Sequence, residues 1–413
     1  MNIVSRSVRA SRGPAFIVAQ FVPMAVLAVA YYFSSRQIET VELGGVRLDR
    51  LLLTSAIIAP ILSQSVSGPL FRSLEVTPRD RFAQSATLVL RNLPRAMLVA
   101  APVLLGLVAM AAWALRLDQA GTVALASVVW VHVLFAATLV PAYAHRNGAL
   151  LVGGWSVYAF VLAVAPQLWW APAVAGFMSQ IVVLLHVCET RLPLVPVVSF
   201  HDMLAGMARG VSLALPLWCL PVAAYLGSDG SVSPVAIFLS LTPALLAYQI
   251  YFVQIATPMW NRIDRARRML ADDTYVSARV ELLTIANVIR TGLLKVVAVL
   301  WTLLVATGSI VYRNDPVQGQ FLLVLMFCAG LSVVVIAEVT RLAMVQKGNT
   351  VSYVSAGIVG ALMLGTAFGM SAGGLLLVHA AACAVALIVL GVANHRAWRS
   401  PEYSLFWSSA LQH

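Results

Sequence analysis

Twelve apolar runs, each about 20 residues long, dominate this sequence of 413 residues. Hydrophobic residues make up 61% of the chain and charged residues only 10%, whereas a soluble domain carries roughly 25% charged residues. A run of this length crosses the hydrocarbon core of a bilayer as one helix. We therefore predict an all-α, polytopic membrane protein with about 12 transmembrane helices. The predicted spans are 15–35, 51–71, 96–115, 121–143, 148–168, 170–188, 208–227, 233–256, 293–312, 319–343, 351–370 and 373–394.

Basic residues fall mainly in every second loop, and this sets the predicted orientation. With the N-terminus inside, 22 of the 27 lysines and arginines lie in cytoplasmic segments, the side on which positive charge accumulates in membrane proteins. An even number of spans then places both termini in the cytoplasm. The net charge of +11 indicates anionic lipid headgroups as partners and no nucleic acid, because the charge is confined to short loops between spans.

Two basic segments with helical spacing lie between the spans. Thr257–Lys295 holds seven of the basic residues, and its apolar residues recur at steps of three and four. Thr257 followed by proline predicts the start of a helix, with threonine as N-cap and proline in the first turn. A shorter copy opens with Thr77 and proline. We predict two amphipathic helices at the membrane surface, 77–95 and 257–292, each of which continues into a span.

Each basic segment follows two spans and precedes four, so we predict a duplicated six-helix unit. Residues 1–190 would form the first bundle, 191–207 a cytoplasmic linker, 208–395 the second bundle and 396–413 a cytoplasmic tail. The longest outer loop covers only residues 36–50. Function is therefore expected within the spans and not in an inserted soluble domain.

Uncharged polar residues are concentrated in spans 1, 2 and 8. Amides and hydroxyls in a membrane need partners, so this density indicates helices that face water or a polar ligand, or that bond to one another. Arginines lie at the predicted cytoplasmic ends of these spans, where they would attract an anionic headgroup. The candidate substrate-binding residues are Gln20, Gln64, Arg72, Arg209, Tyr248, Gln249, Gln254 and Arg262.

The sequence contains no convincing catalytic or metal-binding set. The four cysteines lie in or beside apolar runs without a CxxC pair, so we expect buried free thiols. His132 and His379 lie in different spans, and lone histidines of this kind are expected to hydrogen-bond within the bundle. Glu338 and Arg341, three residues apart in span 10, are expected to pair.

The layout and one local run resemble a known family. Twelve spans with long amphipathic connections only after spans 2 and 8, together with the run Pro258-Met259-Trp260 and then Ala266, resemble the O-antigen flippases, which are oligosaccharidyl-lipid and polysaccharide flippases of the MATE-like superfamily. The resemblance implies a central cavity, lined by spans 1, 2, 7 and 8, that takes a polyprenyl-diphosphate-linked oligosaccharide. Family cavities usually carry arginines well inside spans 1, 2 or 8, whereas the middle of each is uncharged here.

The same resemblance implies alternating access in the bacterial cytoplasmic (inner) membrane, for cell-surface or exopolysaccharide assembly. It implies no cofactor beyond a coupling ion, H⁺ or Na⁺. The expected partners are the lipid-linked glycan, membrane lipids, and a polysaccharide polymerase or glycosyltransferases of the same pathway.

Three other functions stay open at this point. A drug or cation exporter of the same superfamily would share the layout. A major facilitator transporter also has twelve spans, but residues 78–82 lack the glycines that flank Asp-Arg in its loop signature. A membrane glycosyltransferase or polysaccharide polymerase would need an acid in a sizeable outer loop, and the 15 residues of 36–50 are too few for an acceptor site. We therefore predict a transporter and not an enzyme.

Overall fold

The computed structural model describes residues 14–43, 45–76, 82–188, 198–226, 234–271, 275–314, 316–345 and 350–410, which are almost entirely helical. The chain divides into two compact units, the first ending at Ala214 and the second beginning at Leu215.

The first unit holds seven described helices and the first part of an eighth. Their bounds are α1 (Pro14–Ile38), α2 (Leu48–Val76), α3 (Phe82–Ala114), α4 (Gln119–Thr138), α5 (Val140–Ala144), α6 (Gly148–Val164), α7 (Ala171–Val187) and α8 (Phe200–Leu226). A two-residue antiparallel pair, β1 (Glu42–Leu43) and β2 (Val46–Arg47), turns the chain between α1 and α2. Gly45 provides the left-handed backbone of this turn, with φ of 69°. The prediction of an all-α chain therefore missed one short hairpin.

The second unit continues α8 and adds seven further described α-helices and one π-helical stretch. Their bounds are α9 (Pro234–Ile250), the π segment (Tyr251–Ala256), α10 (Thr257–Ala271), α11 (Tyr275–Asn314), α12 (Pro316–Val345), α13 (Thr350–Ala367), α14 (Ala372–Arg399) and α15 (Pro401–Ala410).

Several helices begin where the sequence supplies a capping side chain. The Asp118 carboxylate accepts from the Gly121 N–H at 2.7 Å at the start of α4, and the Ser371 hydroxyl accepts from the Gly374 N–H at 3.4 Å at the start of α14. These contacts satisfy N–H groups that have no partner inside the helix. After α13, Gly369 adopts a left-handed φ of 67°, which is typical of a helix C-terminus.

The order of helix packing repeats between the units. In the first unit, α2 packs on α3 and α4, α3 on α4, α4 on α7, and α6 on α7. In the second unit, α9 packs on α11 and α12, α11 on α12, α12 on α14, and α13 on α14. If α9, α11, α12, α13 and α14 are counterparts of α2, α3, α4, α6 and α7, each of these contacts recurs. A duplicated helical unit would produce this pattern.

Eight helices in the described ranges are long and apolar enough to cross a membrane, and α6 and α7 are shorter apolar helices. The eight are Leu48–Leu74, Phe82–Trp113, Gln119–Ala144, Phe200–Tyr225, Tyr275–Ser309, Gly319–Val345, Thr350–Ala367 and Ala372–Arg399. Helix α1 and helix α9 with the π segment overlie two further predicted spans. The count of twelve and the cytoplasmic location of the termini stay predictions.

An α-helix begins at Thr257, as predicted, but Thr257 does not cap a free helix end. Helix α9 passes through the π segment into α10 without a break, so Thr257 is not an N-cap. The physical reason lies in Pro258, which lacks an N–H and crowds the carbonyl four residues earlier. A wider π turn before the proline accommodates both effects, so the helix continues.

Within the predicted amphipathic helix 257–292 the structure describes α10 and the first part of α11, which lie on either side of residues 272–274. Helix α10 ends at Ala271, and α11 begins at Tyr275 and runs unbroken for 40 residues, so the prediction that the basic segment continues into a span is correct for α11. The predicted start of the other amphipathic helix, at Thr77, lies outside the described residues. From Phe82 onward that segment is continuous with α3.

The predicted tail contains a docked helix. Helix α15 contacts α11, and the side chain of Glu402, 5% exposed, accepts a hydrogen bond from the Tyr275 hydroxyl at 3.1 Å. Arg279 Nε lies 3.7 Å from the same carboxylate. Hydrophobicity alone did not predict this helix, because it is too short to span a membrane.

Candidate functional site

In the first unit, three predicted site residues lie where α2 meets the first half of α8. The backbones approach very closely: a Cβ on Gly210 would lie 2.6 Å from the Gln64 carbonyl oxygen, and one on Gly206 would lie 2.8 Å from the Gly68 carbonyl oxygen. Only glycine allows this approach. Gln64 is half-buried at the contact, and Arg209, next to Gly210, is exposed.

Arg72 closes one end of this contact. Its guanidinium Nη2 lies 3.4 Å from Asp202 Oδ1 in the first turn of α8. The other Asp202 oxygen accepts from the Ser199 hydroxyl at 2.7 Å, and the Asp202 N–H donates to that hydroxyl at 3.1 Å. This reciprocal arrangement caps α8 and orients the carboxylate toward α2.

The remaining polar residues of α2 are mostly used within the helix. The hydroxyls of Thr54, Ser63 and Ser65 donate to carbonyls three or four residues earlier, at 2.6 to 2.9 Å. Such bonds satisfy the hydrogen-bonding capacity of a hydroxyl within its own helix, so no ligand is needed. The buried Ser55 hydroxyl has no such partner. Of the predicted residues in spans 1 and 2, Gln20 lies in α1, where its side chain is outside the described part of the chain.

In the second unit, the π segment and the end of α9 carry the predicted residues. Tyr248 and Gln249 are half-buried and Gln254 is exposed, and the Tyr248 ring packs on Phe252 with centroids 4.5 Å apart. The buried Tyr251 donates its hydroxyl to the Ala337 carbonyl at 3.1 Å. π-Helical turns occur frequently at functional sites, and here the turn aims polar side chains in directions that an α-helix would not.

Arg262 forms a two-pronged ion pair with Glu281 between α10 and α11. Its Nε and Nη2 donate to the two carboxylate oxygens at 2.7 and 3.0 Å. These hydrogen bonds raise the pKa of the Arg262 guanidinium. The predicted substrate-binding arginine is therefore engaged in positioning α10, and any anionic ligand would compete with Glu281 for it.

The second unit also holds polar contacts that the sequence did not predict. The Asn394 amide donates to the Glu338 carbonyl at 2.9 Å and to its carboxylate at 2.8 Å, beside the predicted Glu338–Arg341 pair at 3.5 Å. The Trp398 indole N–H donates to the Arg341 carbonyl at 3.2 Å. The sequence feature that could have indicated these contacts is the pair Asn394 and Trp398, which lie four residues apart on α14.

The histidines bond within their units, as expected. His132 Nε2 lies 2.7 Å from the Tyr158 hydroxyl, and His379 Nε2 lies 2.8 Å from the Ser332 hydroxyl. The four cysteines are free. In the described ranges, no group of three or more His, Cys, Asp or Glu side chains is placed to hold a metal ion.

No protein-family model matches the sequence, and no curated protein matches it. The structure, in contrast, is similar to solved transporters. The crystal structure of MATE in complex with MaL6 gives a TM-score of 0.53 at 13% identity, with 96% of this chain and 99% of that chain covered. A multidrug resistance MATE family transporter of the MOP superfamily, in an outward-facing conformation, gives 0.50 at 15% identity over 96% and 98%. The chain has a MATE-type fold.

The MATE-type fold agrees with the predicted helical layout, and the match extends over 96% of this chain. Identities this low show the fold alone, so the O-antigen flippase family still rests on the run that begins at Pro258 and on the layout of spans.

Proposed function

We propose that the protein is a membrane transporter that flips a polyprenyl-diphosphate-linked oligosaccharide across the bacterial cytoplasmic membrane by alternating access. Two observations support the proposal: the MATE-type fold, and an excess of positive charge that would attract an anionic headgroup. Transport would serve cell-surface or exopolysaccharide assembly, upstream of a polymerase or glycosyltransferase, and would be driven by a proton or sodium gradient.

The pairing of carboxylates with arginines carries this proposal. Five carboxylates lie between 2.7 and 3.7 Å from an arginine nitrogen, namely Asp49, Asp202, Glu281, Glu338 and Glu402. A cationic drug would have to compete with an arginine for each of these five carboxylates, because a charge in a membrane protein is stabilised chiefly by its counter-ion. The chain has 27 basic against 16 acidic residues, so pairing leaves positive charge in excess. An anionic substrate fits this balance better than a cationic drug.

Exposed and half-buried polar groups in both units support a polar headgroup. Gln64 in the first unit and Gln249 and Gln254 in the second present amides, which can both donate to and accept from sugar hydroxyls. Arg209 is exposed near Gln64. A guanidinium binds phosphate oxygens with two parallel hydrogen bonds, which suits a diphosphate.

A drug or cation exporter is the second candidate, because one solved structure with this fold is described as a multidrug resistance transporter. The two functions predict opposite substrates. An exporter would confer resistance to lipophilic cations, and its loss would leave lipid-linked glycans on their normal leaflet.

A deletion strain tests the proposal directly. We expect lipid-linked glycan to accumulate on the cytoplasmic leaflet, measured as glycan that a lectin reaches only after spheroplasts are permeabilised. The combined Gln64→Leu and Gln249→Leu variant should fail to reverse this accumulation while inserting normally. Gln320→Leu, at an exposed glutamine of α12, is the matched control and should restore it.

Three outcomes would oppose the proposal. A normal leaflet distribution in the deletion strain would rule out flipping, and sensitivity to cationic drugs would then favour the exporter. Shorter glycans with normal flipping would indicate a polymerase. Full activity of the double glutamine variant would remove Gln64 and Gln249 from the substrate path.

A further inference from the structure

The contact between α2 and the first half of α8 has the properties of a joint that opens and closes. Three glycines, Gly68, Gly206 and Gly210, bring the two backbones into direct contact. A Cβ on Gly68 would meet the Gly206 carbonyl oxygen directly, and one on Gly206 would lie 2.8 Å from Arg72 Cβ. Small residues let membrane helices approach this closely, so the contact depends on backbone atoms more than on long side chains.

The ion pair at the end of this contact is weak enough to break repeatedly. The side chains of Arg72 and Asp202 are 39% and 29% exposed, and their closest atoms are 3.4 Å apart. Exposed pairs contribute little net stability because water solvates the separated charges. The Ser199 hydroxyl accepts a hydrogen bond from the Asp202 N–H and donates one to the Asp202 carboxylate. These bonds hold the carboxylate in one orientation, so it is in position when the ion pair re-forms.

The first half of α8 packs against the first unit and is followed by a proline at which the helix can bend. Met203 is fully buried in a small apolar cluster with Val99 of α3 and Val198, which places this half of α8 on the first unit. Pro216 follows directly after this stretch and removes one hydrogen bond from the α8 ladder. Prolines at such points let a membrane helix bend, so the first half of α8 can tilt without unwinding the second half.

We propose that this glycine crossing is the closed inner gate of the transporter, and that Arg72 and Asp202 form its latch. The basic-residue pattern places this end of α2 and α8 on the predicted cytoplasmic side. Arg72 then acts in gating, in contrast to its predicted role as a substrate ligand. The inference rests on the proposed transport function, but the crossing can be measured without any substrate.

Hydrogen exchange of the purified full chain in lipid nanodiscs tests the crossing. Gly68→Ala should raise amide exchange in residues 200–214 by about tenfold or more, because the added methyl group forces the backbones apart. Gly106→Ala is the matched control: a Cβ there meets nothing within 4 Å, so exchange should stay at the wild-type rate. If Gly68→Ala does not insert, Gly210→Ala provides the same test from the other helix. Wild-type exchange in the inserted glycine variants would overturn the proposal.

The latch is tested by comparing Arg72→Gln with Asp202→Asn. A latch predicts that both raise exchange in residues 200–214 equally, by about 1.4-fold to fivefold as expected for an exposed pair, and that the double variant adds nothing. Both should also slow transport of a polyprenyl-diphosphate-linked oligosaccharide. If only Arg72→Gln slows transport and neither changes exchange, Arg72 binds substrate and the latch is refuted. If the wild-type protein moves no such lipid while the exchange results hold, the proposed function fails separately from the crossing.

Discussion

Replacement of Glu281 by glutamine should loosen α10 without unfolding the protein. The Glu281 carboxylate accepts hydrogen bonds from Nε and Nη2 of Arg262, at 2.7 and 3.0 Å, and this ion pair joins α10 to α11. Helix α10 is also attached through its buried side, where Ile263 and Ala266 are fully buried, and through a hydrogen bond from Arg267 Nη2 to the Met344 carbonyl at 3.2 Å. Glutamine keeps the size and one acceptor of the glutamate but removes its charge.

The size of the effect follows from the exposure of the pair. The Arg262 and Glu281 side chains are 30% and 21% exposed, so water screens the pair and the 3–5 kcal/mol expected for breaking a fully buried pair is too large. A hydrogen bond to a charged group contributes about 1.5–3 kcal/mol, against about 0.5–1.5 kcal/mol for a neutral one. The difference of about 1–1.5 kcal/mol corresponds to a roughly fivefold to thirteenfold change in the local opening equilibrium of α10.

Amide exchange of residues 257–271 in nanodiscs would measure this change. Arg262→Gln should give the same increase as Glu281→Gln, and the double variant should be close to either single variant. Arg268→Gln is the matched control, since Arg268 is an exposed arginine of the same helix. The reasoning is refuted if Arg262→Gln impairs transport while Glu281→Gln changes neither exchange nor transport, because Arg262 would then serve the substrate.

Two further substitutions test other parts of the structure. Pro258→Ala should let the π segment relax toward a regular helix, raising stability by up to about 3 kcal/mol and lowering transport several-fold; an unchanged Tm and unchanged transport would show that the π segment does not depend on this proline. Tyr275→Phe should remove the hydroxyl that Glu402 accepts, at a cost of about 1 kcal/mol, and raise exchange in residues 401–410 about fivefold. Equal exchange in wild type and variant would show that the attachment of α15 does not depend on this hydrogen bond.

Much of the fold could be predicted because the membrane restricts the choices. Apolar runs of fixed length can only be helices there, so the order of the long apolar helices was predictable from hydropathy, whereas the repeat of two spans, a basic connection and four spans stays a prediction. Pairing of Glu338 with Arg341 was also predictable, since residues three apart on a helix are neighbours. These inferences depend on short-range patterns.

The predictions were incomplete at contacts between residues that are far apart in the sequence. Close glycine packing appears between Gly68 and the Gly206-x-x-x-Gly210 motif, which is a recognisable close-packing pattern, although its partner helix could not be read from sequence. Asp202 follows Ser199 at capping-box spacing, but its second role as the partner of Arg72, 130 residues away, required the structure. The polar stripe of α2 proved to be partly self-satisfied, because serine can bond to its own helix as easily as to a ligand.

Reconstitution tests the central claim most directly. Vesicles containing the purified protein and a radiolabelled polyprenyl-diphosphate-linked oligosaccharide would be treated with an impermeant enzyme that cleaves only the outer leaflet. The proposed function predicts that nearly all of the labelled lipid becomes accessible on the time scale of transport, with no uptake of a fluorescent monovalent cation. Cleavage that stops at the outer-leaflet fraction, together with movement of the cation, would contradict it.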